Sequence, residues 1–165
     1  MTGKNCALAI AIVVIQSTGS AAPRTFGPAQ VKDVYRVVLD RDDLLLESIN
    51  QVIKQNGIQD GHVSITAGSV QECTYHYVTS TAAKPKDEFK TVKGPFEILN
   101  AGGIIAGGQP HVHITLSSPE KGAFGGHLEN GCRVLYLGEM TILKYEGPAL
   151  TRKFNENGIA ILQAK

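Results

Sequence analysis

Asp43-Leu-Leu-Leu-Glu-Ser-Ile-Asn-Gln-Val-Ile-Lys-Gln-Asn-Gly57 is the stretch whose reading decides the fold class, because it alone repeats its apolar residues at helical spacing. Leu45, Ile49, Val52 and Ile53 fall on one helix face, and Asn56-Gly57 is a C-terminal stop. Asp40, Asp42 and Asp43 precede them, where the positive end of a helix dipole favours acids. The spacing predicts one amphipathic helix of about four turns covering a sheet face. Before it, Asp33 to Leu39 alternates as a strand does, preceded by a lead containing Pro23, Gly27 and Pro28.

Everything after Gly57 reads as strand and turn. His62 to Val70 and Glu72 to Thr79 are β-rich, the second with Tyr75 and Tyr77 on one face and His76 on the other. Thr79 to Lys90 is polar and reads as an exposed loop. Phe96 to Leu99, Gly103 to Ala106, His111 to Leu116, Cys132 to Leu137, Met140 to Tyr145 and Ile159 to Leu162 continue the series. One helix followed by many short strands gives an α+β fold with a mainly antiparallel sheet. The chain has 165 residues, 42% of them hydrophobic and 19% charged, which suits one folded domain. Its 18 glycines, about 11% against a usual ~7%, fit a protein of turns and bulges.

The chemistry concentrates in Gln109-Pro-His-Val-His-Ile-Thr-Leu116 and Gly125-Gly-His-Leu-Glu129. Residues two apart on a strand share a face, so His111 and His113 converge. A hairpin centred near Glu120 sets His113 opposite His127 and His111 opposite Glu129, within reach of a shared metal. Imidazole donors suit Zn, Cu, Fe or Ni, and three of them plus a water make an open zinc site. Glu129 is a candidate fourth ligand, and Glu129 or Glu97 a candidate general base. An H-x-H pair on a polar sheet face, with His127 unrelated, is the competing reading. Gly102-Gly103 and Gly107-Gly108 lack the Lys-Ser/Thr of a phosphate-binding loop and read as hairpin or bulge glycines. His62 and His76 read as ordinary histidines, and no G-x-S-x-G context supports a serine nucleophile.

The first residues differ in composition from the rest. Lys4 precedes an apolar run from Ala7 to Ile15, and small residues follow up to Ala22, the pattern of a signal peptide cleaved after Ala21. Nine apolar residues are too few for a membrane anchor, which needs roughly 20. The expected division is a leader over 1–21, a linker over 22–32 and one domain over 33–165. Export is the favoured location, with a cytoplasmic protein as the alternative. Removing the leader takes away Lys4 and Cys6 and leaves fifteen basic against fifteen acidic residues. Cys73 and Cys132 remain, either paired or as buried free thiols.

Asp43 to Ile49, Gly57-Ile58 with Gly61 to Ser69, Gly94 to Leu99, Pro110 to His113 and Gly125 to Leu128 with Gly131-Cys132 together resemble the PPC domain, the plants-and-prokaryotes conserved domain. The resemblance spans Tyr35 to Phe154 and is to the stand-alone prokaryotic type. It implies an antiparallel sheet with short flanking helices, a homotrimer, and metal ligation by His111, His113 and His127. Plant relatives bind AT-rich DNA through an Arg-Gly-Arg-Pro hook, a tetrapeptide missing from this sequence.

Three functions follow as expectations. The first is an exported zinc-binding homotrimer with a small-molecule ligand or substrate. The second is a zinc-dependent hydrolase or lyase in which Glu129 or Glu97 moves a proton. The third is a DNA-binding or regulatory protein like the plant relatives, against which stand the formal charge of +1 and the absence of basic runs.

Overall fold

In a computed structural model, which describes residues 22–165, strand β1 (Gln30–Asp40) leads into helix α1 (Leu45–Gln55). Five strands follow: β2 (Asp60–Val78), β3 (Asp87–Ala106), β4 (Gln109–Ser118), β5 (Gly122–Leu128) and β6 (Arg133–Glu146). A separate hairpin of β7 (Leu150–Phe154) and β8 (Ala160–Ala164) ends the chain. The expected leader over 1–21 lies outside the described residues. Among the described residues no helix is long and apolar enough to cross a membrane.

The acids before α1 belong to a turn and not to the helix. Leu44 is extended and bridges Arg133, and the Leu45 N–H donates to the Cys132 carbonyl at 2.9 Å, so helical geometry starts only at Leu45. Asp42 turns the chain at φ 73°, and the Asp43 carboxylate accepts the Asp40 N–H at 2.9 Å. The helix is therefore 11 residues, about three turns. Asn56 caps it and Gly57 follows at φ 57°, the left-handed conformation that glycine adopts without strain. Leu45, Ile49 and Ile53 point into the core, where each fully buried aliphatic side chain contributes about 1.5–3 kcal/mol.

All sheet pairings are antiparallel, and the strand order is β1-β6-β2-β3-β4-β5. The sheet also curls back on itself, since β5 pairs with β2 through Tyr75↔Leu128 and His76↔His127. The two expected strands on either side of Gln71 are one 19-residue strand with a register shift between Val70 and Glu72. Gln71 Nε2 donates to Asp42 and to the Val134 carbonyl from that bulge. Likewise Asp87–Ala106 is one strand, shifted between Ile98 and Asn100, and Gly102 and Gly103 lie inside it. Gly107 and Gly108, at φ 59° and 74°, make the β3–β4 turn.

The expected loop after Val78 ends at Lys86, where β3 begins earlier than Lys90. The short flanking helices implied by the family resemblance do not occur among the described residues. After the sheet, alternating residues such as Leu150, Arg152 and Phe154 form a β-hairpin whose second strand takes in most of the expected final strand Ile159 to Leu162.

Candidate metal centre

Alternation along β4 buries Val112, Ile114 and Leu116 and turns His111 and His113 to the opposite face. Leu128 of β5 and Tyr75 of β2 are likewise buried, leaving His127 and His76 on that same outer face. The expected register is present for one pair, His113↔His127. Four imidazoles thus meet where β4, β5 and β2 join.

The rings are packed closely. His111 Nε2 and His113 Nε2 are 3.3 Å apart, with the two rings stacked at 16°. His127 stands nearly perpendicular to both, at 83° and 82°. One donor nitrogen from each of the three lies within 4.8 Å of the others. That spacing leaves room for one ion to draw them together to the ~2.0–2.1 Å bonds a zinc–imidazole site requires, so the donor set fits a transition metal.

Glu129 does not face His111. The β4–β5 ladder ends at His113↔His127 because β5 crosses to β2 there, and the Glu129 N–H donates to the Thr74 carbonyl at 3.1 Å. The Glu129 carboxylate instead pairs with His76 Nδ1 at 2.7 Å. His76 stacks on His127 at 4.5 Å, and His76, His127 and Glu129 form a second group of donors within 4.8 Å of one another. The Glu47 carboxylate of α1 accepts the Gly131 N–H at 2.9 Å, which ties down the turn following Glu129.

Glu97 lies apart from both groups. It is exposed and opposite Ser117, five residues along β3 from Gly102, the partner of His113; that is roughly 16 Å of strand. His76 is the site residue that sequence reasoning passed over. Its signal was present in the alternation of Tyr75, His76 and Tyr77, but its partner was set by the β2–β5 pairing.

Burial first, and then the neighbouring imidazoles of His111, His76 and His113, hold His127 down to about 4, while Glu129 acts in the opposite direction. His111 is also lowered, by burial first and then by the Arg152 charge and His113. A metal needs neutral imidazoles, and His127 is neutral throughout the physiological range. Because this folded value lies below the unfolded one of ~6.5, the unfolded chain binds more protons between about pH 4 and 6.5. The metal-free protein should therefore lose stability as pH falls through that window, by about 1–2 kcal/mol after allowance for solvent screening of a half-buried group. Urea midpoints at pH 7 and 4.5 measure this, and His127→Gln should show a smaller drop than wild type.

Glycines permit the close strand approach. A Cβ on Gly126 would collide with the His76 carbonyl, one on Gly125 with the Ile114 carbonyl, and one on Gly103 with the His111 carbonyl. Each obstacle is backbone and cannot rotate away. Gly126→Ala should push β5 from β2, cost about 1–3 kcal/mol or more, and open the His76–His127 stack. Thermal unfolding and the imidazole NMR shifts would register both effects.

The fold and site define an α+β protein whose curled antiparallel sheet carries a histidine cluster on its outer face. The family model of the Plants and Prokaryotes Conserved (PCC) domain matches residues 27–146, and the chain belongs to that family. Solved structures share the fold. A metal-containing protein of Archaeoglobus fulgidus aligns with a TM-score of 0.73 and 23% identity, covering 86% of this chain and 99% of its own. A plant- and prokaryote-conserved (PPC) protein of Pyrococcus horikoshii aligns at 0.72 and 22%, covering 86% and 99%. A candidate DNA-binding protein of Bacteroides thetaiotaomicron aligns at 0.72 and 22%, covering 85% and 96%. Among curated proteins, the bifunctional protein GlmU of Synechococcus sp. (strain JA-2-3B'a(2-13)) is 24% identical over 128 residues, which are 78% of this chain and 19% of that protein. The chain thus spans about a fifth of that relative's length.

Proposed function

We propose that this PCC-domain protein is an exported homotrimer that holds a transition metal, zinc by preference, through His111, His113 and His127. The observation that carries the reading is the convergence of those three donor nitrogens on one sheet face. When bound between three imidazoles, zinc keeps a fourth position for water or a ligand and acts there as a Lewis acid. The protein's own part is to hold the rings neutral and fixed. The fold neighbour described as metal-containing supports this reading.

Export is supported by the apolar run from Ala7 to Ile15 and by the Cys73–Cys132 disulfide, a bond typical of oxidising compartments. Self-association is supported by large apolar side chains left in solvent on the paired strands β1 and β6, among them Val34, Val38 and Tyr136. The formal charge of +1 and the missing hook tetrapeptide weigh against DNA as partner.

Metal analysis of protein purified without chelator tests the proposal, with about one zinc per chain expected and a metal-free protein overturning it. Light scattering should give three chains per particle. An intact Met1 on protein recovered from its native host would refute export.

A further inference from the structure

The β7–β8 hairpin follows the residues matched by the family model, yet it closes one side of the histidine cluster. A pocket of ≈ 710 Å³ opens over His111, His113 and His127, walled by Val78 and Pro85 on the loop side and by Phe154, Ile159 and Ala160 of the hairpin. Phe154 is 78% exposed and Ile159 42%, so neither fills the core. Large apolar side chains left in water beside a polar cluster mark a binding surface.

The hairpin is held in place. Asn155 Oδ1 accepts the N–H groups of Asn157 and Ile159 at 3.0 and 2.9 Å, which fixes the turn. Arg152 shares a strand face with Phe154 and donates to the carbonyls of Gln109 and Ile104 at 3.3 and 3.4 Å, anchoring β7 beside His111. Among the described residues no carboxylate forms an ion pair with Arg152. With a divalent ion on three neutral imidazoles, Arg152 nearby and Glu129 engaged by His76, the floor carries net positive charge, while Asp87 lines the pocket with the one carboxylate of its own.

We propose that the hairpin is the selectivity wall of this centre, and that the site takes a small monocarboxylate whose oxygens meet the metal and whose short apolar tail packs on Phe154 and Ile159. This rests on the metal reading above. An anionic oxygen head answers the positive floor, and the apolar wall answers a chain of a few carbons.

Calorimetric titration of zinc-loaded protein with acetate, butyrate and hexanoate, with zinc measured in the same samples, separates the two ideas. Each methylene buried is worth up to about fourfold in affinity, so a partly covered tail should bring hexanoate roughly tenfold or more below acetate in Kd. Phe154→Ala and Ile159→Ala should reduce that ratio to about threefold or less while acetate affinity and zinc content stay unchanged. Zinc present with equal affinity for all three acids overturns the inference and leaves the metal reading standing. A chain-length preference untouched by either substitution overturns the assignment to the hairpin. Protein that takes up no zinc sinks both.

Discussion

His113→Ala is expected to remove stoichiometric metal from the purified protein while leaving its fold intact. His113 is exposed on the outer sheet face, so the truncation opens no core cavity and should shift metal-free stability by no more than about 0.5 kcal/mol. Its ring nitrogen, 3.3 Å from that of His111, is one of three donors, and losing it should weaken binding beyond the roughly 10–100-fold that loss of an outer-shell partner costs. His127→Ala should do the same, since His127 belongs to both donor groups. His76→Ala and Glu129→Gln discriminate between the groups. If the metal sits on His111, His113 and His127, these two variants act only through the ring stacked on His127 and should cost about 10–100-fold. Metal that survives His113→Ala but disappears in Glu129→Gln would transfer the site to His76, His127 and Glu129. Competition with a chromophoric chelator at fixed pH measures all four variants on one scale.

What could be read in advance follows the range of the interaction that sets each feature. The helix, its Asn56-Gly57 stop and the alternation of β4 are local, and so is the sharing of a face by His111 and His113. The His113↔His127 register follows from one turn. The pairing of His76 with Glu129, 53 residues apart in sequence, depends on β5 crossing to β2, and nothing near His76 announces it. Bulges hid the long strands for a related reason. Gln71 stands between the Val70↔Val134 and Glu72↔Arg133 pairs with no counterpart on β6, and such a one-residue insertion breaks the period of two, so a continuous strand reads as two short ones. Glu97, a candidate general base from the sequence, lies opposite Ser117, and the continuous run of β3 through Gly102 and Gly103 sets it about five residues of strand away from the partner of His113.

Refolding in reductant is expected to cost the protein about 2–4 kcal/mol of stability relative to the oxidised form. Cys73 on β2 and Cys132 just before β6 are fully buried, follow and precede the last β2–β6 pair, Glu72↔Arg133, and are joined by a disulfide that closes a loop with a sequence separation of 59. Loop-closure entropy for a ring of that size sets an upper figure of about 4 kcal/mol. Comparing oxidised and reduced wild type isolates the cross-link, whereas a double alanine variant would add the cavities left by two buried sulfurs. The disulfide also lies three residues from His76 and three from Glu129, and the Thr74 carbonyl next to Cys73 receives the Glu129 N–H. Reduction should therefore loosen the His76–Glu129 arm before the His111–His113 arm. Urea unfolding with and without reductant gives the stability, and hydrogen exchange at the Glu129 amide against that of His113 gives the local effect. A stability difference under 1 kcal/mol, or equal loosening at both amides, would show that the crossing of β2, β5 and β6 holds itself together without the cross-link.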